Sequence, residues 1–248
     1  MRMKTIYCSG ERPVPERHNT GFLESVKRYE FVKECARDKV VLDLGCGLGD
    51  GACILAQTAR QVTGVDYSSE VIQEAQKRTV AKNVTFMVSD VRALRLPDAH
   101  FDLVSAFEII EHLAEPKEFL EEIVRVLKPG GTLAISTPNN TTGRAPTAFH
   151  LKEYHAQELV SVLKNYFGTV TLYGLHRPKE VYRLEDELRK VRQKDILGVR
   201  KIIPRFLISL IVHAVARAKK ITPPEAMQFA ILKDAIEGAE VLLALCQK

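Results

Sequence analysis

Short apolar runs alternate with segments of helical periodicity from residue 40 to residue 175 of the chain. Five of the runs predict β-strands: "VVLDLG" from Val40, then 62–66, 84–90, 101–107 and 132–138. Between them, "SSEVIQEAQKR" and "EPKEFLEEIVRVLKPGG" place apolar side chains on one helical face, and the second helix is predicted to end at Pro-Gly-Gly. Strands that alternate with helices predict parallel pairing and right-handed crossovers. Ligands of such sheets bind beyond the carboxyl ends of the strands.

The C-terminal part of the chain is predicted to complete the sheet after a helical interruption. A polar loop, "NNTTGRAPTAFHLKEY", precedes a helix predicted over 155–165 and a sixth strand over 170–175, and "AEVLLALCQK" predicts the last strand. We therefore predict an α/β fold with a seven-stranded, mostly parallel sheet and helices on both faces. The predicted divisions are a helical extension, a core, a helical insertion or lid, and the last core strand, over 1–38, 39–175, 176–237 and 238–248.

The segment 203–220, "IPRFLISLIVHAVARAKK", has a pattern of its own. Its polar side chains recur every four residues in one narrow stripe, at Arg205, Ser209, His213 and Arg217. A helix this apolar must be covered, and three covers remain open: the protein's own core, a second copy in a homodimer, or a membrane surface. The run is too short to span a bilayer, so only a peripheral membrane contact is consistent with it.

The overall charge is too small to indicate a nucleic-acid partner by itself, and none is expected. The 248 residues include 36 basic and 31 acidic side chains, for a net charge of +5. The distribution is uneven, because 177–220 holds 13 Lys and Arg residues against 5 Asp and Glu residues, a local charge of +8. This basic excess surrounds the apolar segment 203–220, which is why a membrane surface stays among its three covers.

Cysteine usage and the N-terminus indicate a reducing compartment. The five cysteines are odd in number and form no C-x-x-C pair, so neither a disulfide framework nor a zinc site is indicated. The sequence "MRMKTIYCSG" has no apolar core of signal-peptide length. We expect a cytoplasmic protein, at the inner membrane surface if 203–220 contacts lipid.

The stretch "KVVLDLGCGLGDGA" predicts a strand, a glycine-rich turn and the start of a helix. Backbone N–H groups face the ligand in such a turn, and glycines allow positive φ and close approach. Two cofactors compete for it. "GLGDGA" from Gly47 satisfies the dinucleotide pattern G-x-G-x-x-A, and Asp66 lies at about the distance expected for a ribose contact.

The wider pattern, Asp43-x-Gly45-Cys46-Gly47-x-Gly49, resembles the first motif of the class I S-adenosylmethionine (SAM)-dependent methyltransferases. The resemblance continues in order through "GVDYSSEVIQEA", "VSDVRALRLPDAHFDLVSAFEIIEHL" and "EEIVRVLKPGGTLAISTPN". "VLLALCQK" is similar to the antiparallel seventh strand of that family. The resemblance implies a Rossmann-like fold with SAM, rather than NAD, as the cofactor.

The resemblance also implies which residues surround the methionine part of the cofactor. Gly45, Gly47 and Gly49, with Cys46 among them, would let the backbone run against it. Asp43 would lie under the turn and contact the ammonium group, directly or through water. Arg28 and Tyr29, from the preceding helix, either reach the cofactor carboxylate or lie on an exposed face.

Five further residues are assigned to the nucleoside by the same resemblance. Asp66 would accept both ribose hydroxyls, since an ionised carboxylate is an acceptor only. Tyr67 would lie against the adenine, Asp90 would accept from its amino group, and the Val91 N–H would donate to a ring nitrogen. Phe107 would close the fourth strand beside the cofactor. The alternative for the aspartates is an ordinary turn or cap role.

Methyl transfer to a hydroxyl requires a proton acceptor, for which histidine is suited near neutral pH. The candidates are His112, just past the fourth strand, and His150, in the loop after the fifth, with Glu108 and Glu111 as weaker ones. His155 is better explained as the start of a helix. No His, Asp and Glu residues show metal-ligand spacing along the chain, so no metal is expected.

The loop "STPNNTTGRAPTAFHLKEYHAQELVSVL" is similar to a stretch, "STPN…NPFHVKEY", of methyltransferases linked to cell-surface polysaccharide and lipopolysaccharide synthesis. Here "RAPTA" stands in place of the usual Asn-Pro. The resemblance implies a glycan hydroxyl as acceptor. The alternatives are a small lipophilic metabolite such as a quinone precursor, a SAM-binding protein without catalysis, and, as an outside interpretation, a dehydrogenase.

Overall fold

The computed structural model describes residues 20–140, 149–193, 205–222 and 227–248 of the chain. Over these residues the chain forms seven α-helices: α1 (Thr20–Val32), α2 (Asp50–Leu55), α3 (Ser69–Arg78), α4 (Lys117–Val126), α5 (Ala156–Lys164), α6 (Lys179–Gln193) and α7 (Arg205–Ala218). The same residues form eight strands: β1 (Val40–Leu44), β2 (Gln61–Asp66), β3 (Val84–Val88), β4 (Phe101–Phe107), β5 (Leu127–Pro138), β6 (Thr169–His176), β7 (Ala230–Lys233) and β8 (Val241–Gln247). Short 3₁₀ helices lie at Lys33–Ala36 and Ile110–His112.

The strands form one sheet in the order β3-β2-β1-β4-β5-β8-β6-β7. The first five pair in parallel, whereas β8 is antiparallel to both β5 and β6. The strand order reverses between β1 and β4, which makes their carboxyl ends the switch point where ligands of such sheets bind. The predicted α/β class with a mostly parallel, Rossmann-like sheet and an antiparallel last strand is confirmed.

Helices cover both faces of the sheet, and alternate residues of β1 contact the two layers. Leu42 and Leu44 belong to one apolar cluster, and Val41 belongs to another. The first cluster contains residues of α4 and α5, and the second contains residues of α1 and α2. Because successive side chains of a strand point to opposite faces, Asp43 shares the side of Val41. The aspartate is therefore buried beneath α1 and α2, at the end of an otherwise apolar strand.

Helix α3 begins as its sequence predicts. The Ser68 hydroxyl accepts the N–H of Val71 at 3.3 Å, which caps the helix start. The apolar positions Val71, Ile72 and Ala75 are buried. Serine capping and helical periodicity therefore position the segment that follows Asp66, at the edge where ligands are expected.

Two predictions about element boundaries are wrong. Helix α4 ends at Val126 rather than at Pro-Gly-Gly, and β5 begins directly at Leu127. Pro129 explains the early end, since proline disfavours helical backbone in the residue before it. An eighth strand, β7, lies beside β6 in the stretch predicted to be helical. With four residues at a sheet edge, it is too short to give a clear period of two.

The described residues divide into two compact units. The larger contains 25–176 and 231–248, with most of the sheet, and the smaller contains 20–24 and 177–230 within the described ranges. In the smaller unit α6 packs against α7, and Lys219 Nζ lies 3.0 Å from Glu187 Oε2. Arg177 pairs there with Glu24.

The structure describes only part of the apolar segment 203–220. Val212 and Ala216 of α7 are buried, and Arg217 on the predicted polar stripe is exposed. Among the described residues, no helix combines the length and the apolarity needed to cross a bilayer. The homodimer and the membrane surface remain predictions for this segment.

Candidate active site

The turn between β1 and α2 carries three glycines with positive φ: Gly45 at 64°, Gly47 at 55° and Gly49 at 84°. A Cβ on Gly45 would lie 2.9 Å from Ile109, and one on Gly49 would lie 2.6 Å from Phe86, so packing within the protein excludes side chains there. A Cβ on Gly47 would meet no atom of the described residues within 4 Å. The backbone at Gly47 is therefore open to a ligand.

Asp43 lies beneath this turn and is fully buried. Its Oδ1 accepts hydrogen bonds from the Tyr29 hydroxyl at 3.0 Å and the Ser105 hydroxyl at 2.7 Å. Its Oδ2 is buried and has no hydrogen-bond partner among the residues that the structure describes. Burial raises the pKa of Asp43 to about 7, although the two hydroxyl donors oppose that shift. A cation that approached Oδ2 would stabilise the ionised carboxylate.

The ring of Tyr29 packs directly against the backbone of Gly51, where there is no room for a side chain. A Cβ on Gly51 would lie 2.0 Å from the Tyr29 ring. The fourth glycine of the motif thus lets α1 pack on α2, whereas Gly47 opens the turn to a ligand.

Asp66 ties the glycine turn to the end of β2. Its Oδ2 accepts the Gly47 N–H at 3.1 Å, and its Oδ1 accepts the Ser68 N–H at 3.0 Å. The buried residue Cys46, which lies between Gly45 and Gly47 in the turn, donates its N–H to Val65 O at 2.9 Å. A carboxylate has about four acceptor sites, so Asp66 can hold the turn and still accept from a ligand. Its ribose contact remains a prediction.

The adenine-side residues lie beyond the ends of β2 and β3. Tyr67 is 77% exposed, a large aromatic surface next to Asp66. Strand β3 ends at Val88, so Asp90 and the half-buried Val91 lie in the following loop rather than in the predicted strand over 84–90. The exposed ring of Tyr67 is available for stacking, and the adenine contacts remain predictions.

The carboxylate of Asp90 is already engaged. It binds Arg92 through both oxygens, at 3.0 Å to Nε and 2.7 Å to Nη2, and these bonds lower the pKa of Asp90. An amino group that bound Asp90 would have to share an oxygen with this half-exposed arginine.

One side of the site is formed by Arg28 and Tyr29 of α1 together with Phe107 at the end of β4. The rings of Tyr29 and Phe107 meet edge to face with centroids 4.9 Å apart, and the Arg28 guanidinium lies 5.9 Å from the Phe107 ring centroid. Arg28 is only 4% exposed, so the exposed-face alternative is wrong for it, as it is for buried Tyr29. Arg28 Nη1 lies 3.8 Å from Glu108 Oε1, which places a buried positive charge at this edge.

Glu108 follows β4 with a φ of 57°, which is uncommon for a residue other than glycine. Its N–H donates to Ser136 O at 3.0 Å, and its Oε1 accepts the Ser136 hydroxyl at 2.8 Å. The left-handed turn therefore holds Glu108 against the end of β5, facing Arg28. This places the weaker acid–base candidate at the edge of the site.

The structure brings His112 and His150 together, with ring centroids 5.2 Å apart. His112 Nδ1 lies 2.9 Å from Phe149 O, and His150 Nδ1 lies 3.4 Å from Glu153 Oε1. His155 is the N-cap residue of α5, in agreement with its interpretation as a helix start. The two candidate bases thus form one pair, although they are far apart in the sequence.

Glu111 is the functional candidate that sequence reasoning rated too low. It is fully buried, its Oε2 accepts the Thr137 hydroxyl at 3.0 Å, and its Oε1 has no hydrogen-bond partner within the described ranges. Burial, together with the nearby charge of Glu108, raises the pKa of Glu111 well above its usual range. Nothing in the sequence pattern "EIIEHL" indicates which of its two glutamates is buried.

Glu111, His112 and His150 each place a potential ligand atom within 4.8 Å of the others. Spacing along the chain does not indicate this cluster, because the fold joins residues from two separate segments, "EH" at 111–112 and "FH" at 149–150. The expectation of no metal stays a prediction.

Comparison with known proteins identifies the family. Residues 42–135 match the family model described as "Methyltransferase domain". The chain is 37% identical over 183 residues to a "Probable S-adenosylmethionine-dependent methyltransferase" of Mycobacterium tuberculosis, a match that covers 70% of this chain and 66% of the relative. It is 29% identical over 164 residues to a ubiquinone biosynthesis O-methyltransferase of Pectobacterium atrosepticum, covering 65% of each.

A solved SAM-dependent methyltransferase from Thermotoga maritima shares the fold, with a TM-score of 0.60 at 16% identity over 92% of both chains. The chain spans just under two thirds of the length of the two curated relatives. The resemblance to enzymes of polysaccharide synthesis has no counterpart among these names and stays a prediction. The cofactor of the site is S-adenosylmethionine. Because the matched residues contain the glycine turn and the strand ends that form this site, the core of the chain belongs to the class I SAM-dependent methyltransferases.

Proposed function

We propose that this chain is a SAM-dependent methyltransferase that methylates an acceptor hydroxyl, with a saccharide as the favoured acceptor. The observation that carries the methyltransferase proposal is the pairing of an open backbone at Gly47 with the unpartnered, buried Oδ2 of Asp43 below it. The acceptor is inferred from the loop "FHLKEY", which places His150 beside His112. O-methylation is supported by the similarity to a ubiquinone O-methyltransferase.

The chain's own residues fit the charges of such a cofactor. Asp43 provides negative charge under the turn for an ammonium group, and the Arg28 guanidinium provides a buried positive charge for a carboxylate. Asp66 accepts from hydroxyl groups while it holds the turn through the Gly47 N–H. When bound, SAM supplies an electrophilic methyl group on a sulfonium centre. The protein's part is to hold that centre and the acceptor in line.

The acceptor side must manage the hydroxyl proton, and the paired imidazoles are placed to do so. The carbonyl of Phe149 can only accept, so the Nδ1 of His112 carries a hydrogen. In the neutral ring, the lone pair then lies on Nε2. His150 has the same arrangement toward the Glu153 carboxylate. A neutral imidazole held in one tautomer is suited to proton transfer.

A phenolic hydroxyl of a quinone precursor is the second candidate acceptor. It is favoured by the name of the relative from Pectobacterium atrosepticum, which acts in ubiquinone biosynthesis. The exposed aromatic and aliphatic side chains of Phe149 and Leu151, which flank His150, would suit an apolar acceptor. Both candidates present a hydroxyl, so they share the same proton chemistry.

The glycine turn provides a matched pair of substitutions. We expect Gly47→Ala to weaken S-adenosylhomocysteine binding by about tenfold or more, because a methyl group would occupy the open space at the backbone. Gly130→Ala is the control, since Gly130 also has a positive φ, 74°, and open space at its Cβ, but lies near the start of β5. Both variants should lose about 1 kcal/mol of unfolding free energy. Equal affinity of the two variants in calorimetry would contradict the role of Gly47.

The raised pKa of Asp43 predicts that ligand binding releases a proton. Its pKa of about 7 means that the ligand-free protein holds a proton there at lower pH. An ammonium group favours the ionised carboxylate and lowers that pKa. Binding of S-adenosylhomocysteine should therefore release up to about one proton between about pH 5 and pH 7, and none above about pH 8. Calorimetry in two buffers of different protonation enthalpy measures this, and Asp43→Asn should abolish it. Proton release that persists in Asp43→Asn would assign the effect to another group.

The acceptor is tested with a labelled methyl donor. We expect label in glycans or glycolipids rather than in polyhydroxylated phenols, and the reverse result would favour the quinone precursor. With the labelled acceptor in hand, His112→Ala should slow transfer by about 10²–10⁴-fold and leave S-adenosylhomocysteine affinity unchanged. His155→Ala, at the start of α5, is the control and should keep its rate. If the cofactor binds but no labelled methyl group reaches glycans, glycolipids or phenols, the chain is a non-catalytic SAM-binding protein.

A further inference from the structure

The group of Glu111, His112 and His150 lies beyond the carboxyl end of β4 and is assembled from two segments. Glu111 and His112 belong to the 3₁₀ helix Ile110–His112, and His150 precedes α5. One potential ligand atom of each residue lies within 4.8 Å of the other two. Within the described residues, this group combines two imidazole nitrogens with one carboxylate oxygen.

The unpartnered oxygen of Glu111 is the independent observation that points to a ligand. The side chain is 0% exposed, and only Oε2 is satisfied, by the Thr137 hydroxyl. Oε1 is shielded from solvent and meets no donor in the described part of the chain. A buried carboxylate oxygen without a partner is costly, and the charge of Glu108 nearby adds repulsion. A bound cation would satisfy the oxygen and reduce that repulsion.

Both imidazoles are oriented as metal-binding histidines usually are. Nδ1 of His112 donates to Phe149 O at 2.9 Å, and Nδ1 of His150 lies 3.4 Å from Glu153 Oε1. A carbonyl or carboxylate partner on one ring nitrogen fixes the tautomer and raises the basicity of the other. Nε2 is therefore the ligand atom expected from each ring.

Backbone hydrogen bonds also hold the two segments in register. The N–H groups of Leu151 and Lys152 both donate to Glu111 O, at 2.8 and 3.1 Å. The residues directly after His150 are thereby attached to the residue that supplies the carboxylate. The backbone and the outer partners therefore hold the three ligand residues close together before an ion binds.

We propose that Glu111, His112 and His150 bind one divalent first-row transition-metal cation, of the zinc, cobalt or manganese type. Imidazole ligands favour these ions over Mg²⁺ and Ca²⁺, which prefer oxygen ligands. Metal–ligand bonds of about 2.0–2.2 Å would require the three atoms to approach slightly from their present spacing. Three protein ligands leave at least one coordination position open, as in catalytic sites.

The cation would act on the acceptor, an inference that rests on the proposed O-methylation. A hydroxyl that binds a divalent cation loses its proton more readily, as metal-bound water does, and the proton passes to solvent. The imidazoles would then serve as ligands rather than as bases. Metal binding itself does not depend on this step.

The binding test uses the full chain, freed of metal with a chelator, and Zn²⁺, Co²⁺, Mn²⁺ and Mg²⁺ titrated separately. We expect about one equivalent of Zn²⁺ or Co²⁺, a visible Co²⁺ absorption band, and Mg²⁺ affinity lower by about a hundredfold. Glu111→Gln and His150→Ala should each weaken binding by about tenfold or more. His155→Ala is the control and should bind normally. If none of the three transition-metal ions binds stoichiometrically, the proposed site is wrong.

Two further readouts separate folding and catalysis from binding. Because Glu111→Gln alters a fully buried side chain and can disturb the fold, the half-buried His150→Ala is the deciding variant, checked by S-adenosylhomocysteine binding. Undiminished metal affinity in a folded His150→Ala protein overturns the ligand assignment. Transfer that continues at full rate after chelation overturns the catalytic part alone. Stoichiometric Co²⁺ binding without transfer supports the site and counts against the proposed O-methylation.

Discussion

The site depends on one buried carboxylate. Asp43 lies one residue before the end of β1 in an apolar environment, and one of its oxygens accepts hydrogen bonds from the hydroxyl groups of Tyr29 in α1 and Ser105 in β4. These two hydrogen bonds join three elements directly beneath the glycine turn. They leave the second oxygen buried and unsatisfied, so the carboxylate is poised between its protonated and ionised forms. The energetic cost of this arrangement is consistent with a cationic ligand, and it explains an aspartate where the strand pattern calls for an apolar residue.

The site has two parts, which lie at different places along the carboxyl edge of the sheet. On the side of β1 and β2, backbone and strand-end carboxylates surround open space at Gly47, and Asp66 attaches the turn to the neighbouring strand. Beyond β4, a left-handed residue, Glu108, leads into a short helix that presents Glu111 and His112 to the segment of His150. Positive φ values thus occur at both places where the chain leaves a strand to form the site. Arg28 lies between the two parts, against Phe107 and near Glu108.

The parallel strands and the glycine turn could be predicted from the sequence because their determinants are local. Strand periodicity, the glycine spacing and the serine cap of α3 each depend on residues close together in the chain. The acceptor side could not be predicted in the same way. Which of two glutamates is buried, and that His150 meets His112, depend on contacts between distant segments. The same reasoning explains the boundary errors, since β7 is stabilised by pairing at a sheet edge and Pro129 overrides the periodicity of α4.

The central claim is that the turn above Asp43 is built for a nucleoside with a charged methionine tail. The most direct measurement is calorimetric titration of the full chain with SAM, S-adenosylhomocysteine and NAD⁺ under identical conditions. The account predicts saturable binding of the first two at one site per chain and none of NAD⁺. Binding of NAD⁺ with neither sulfur compound bound would contradict it.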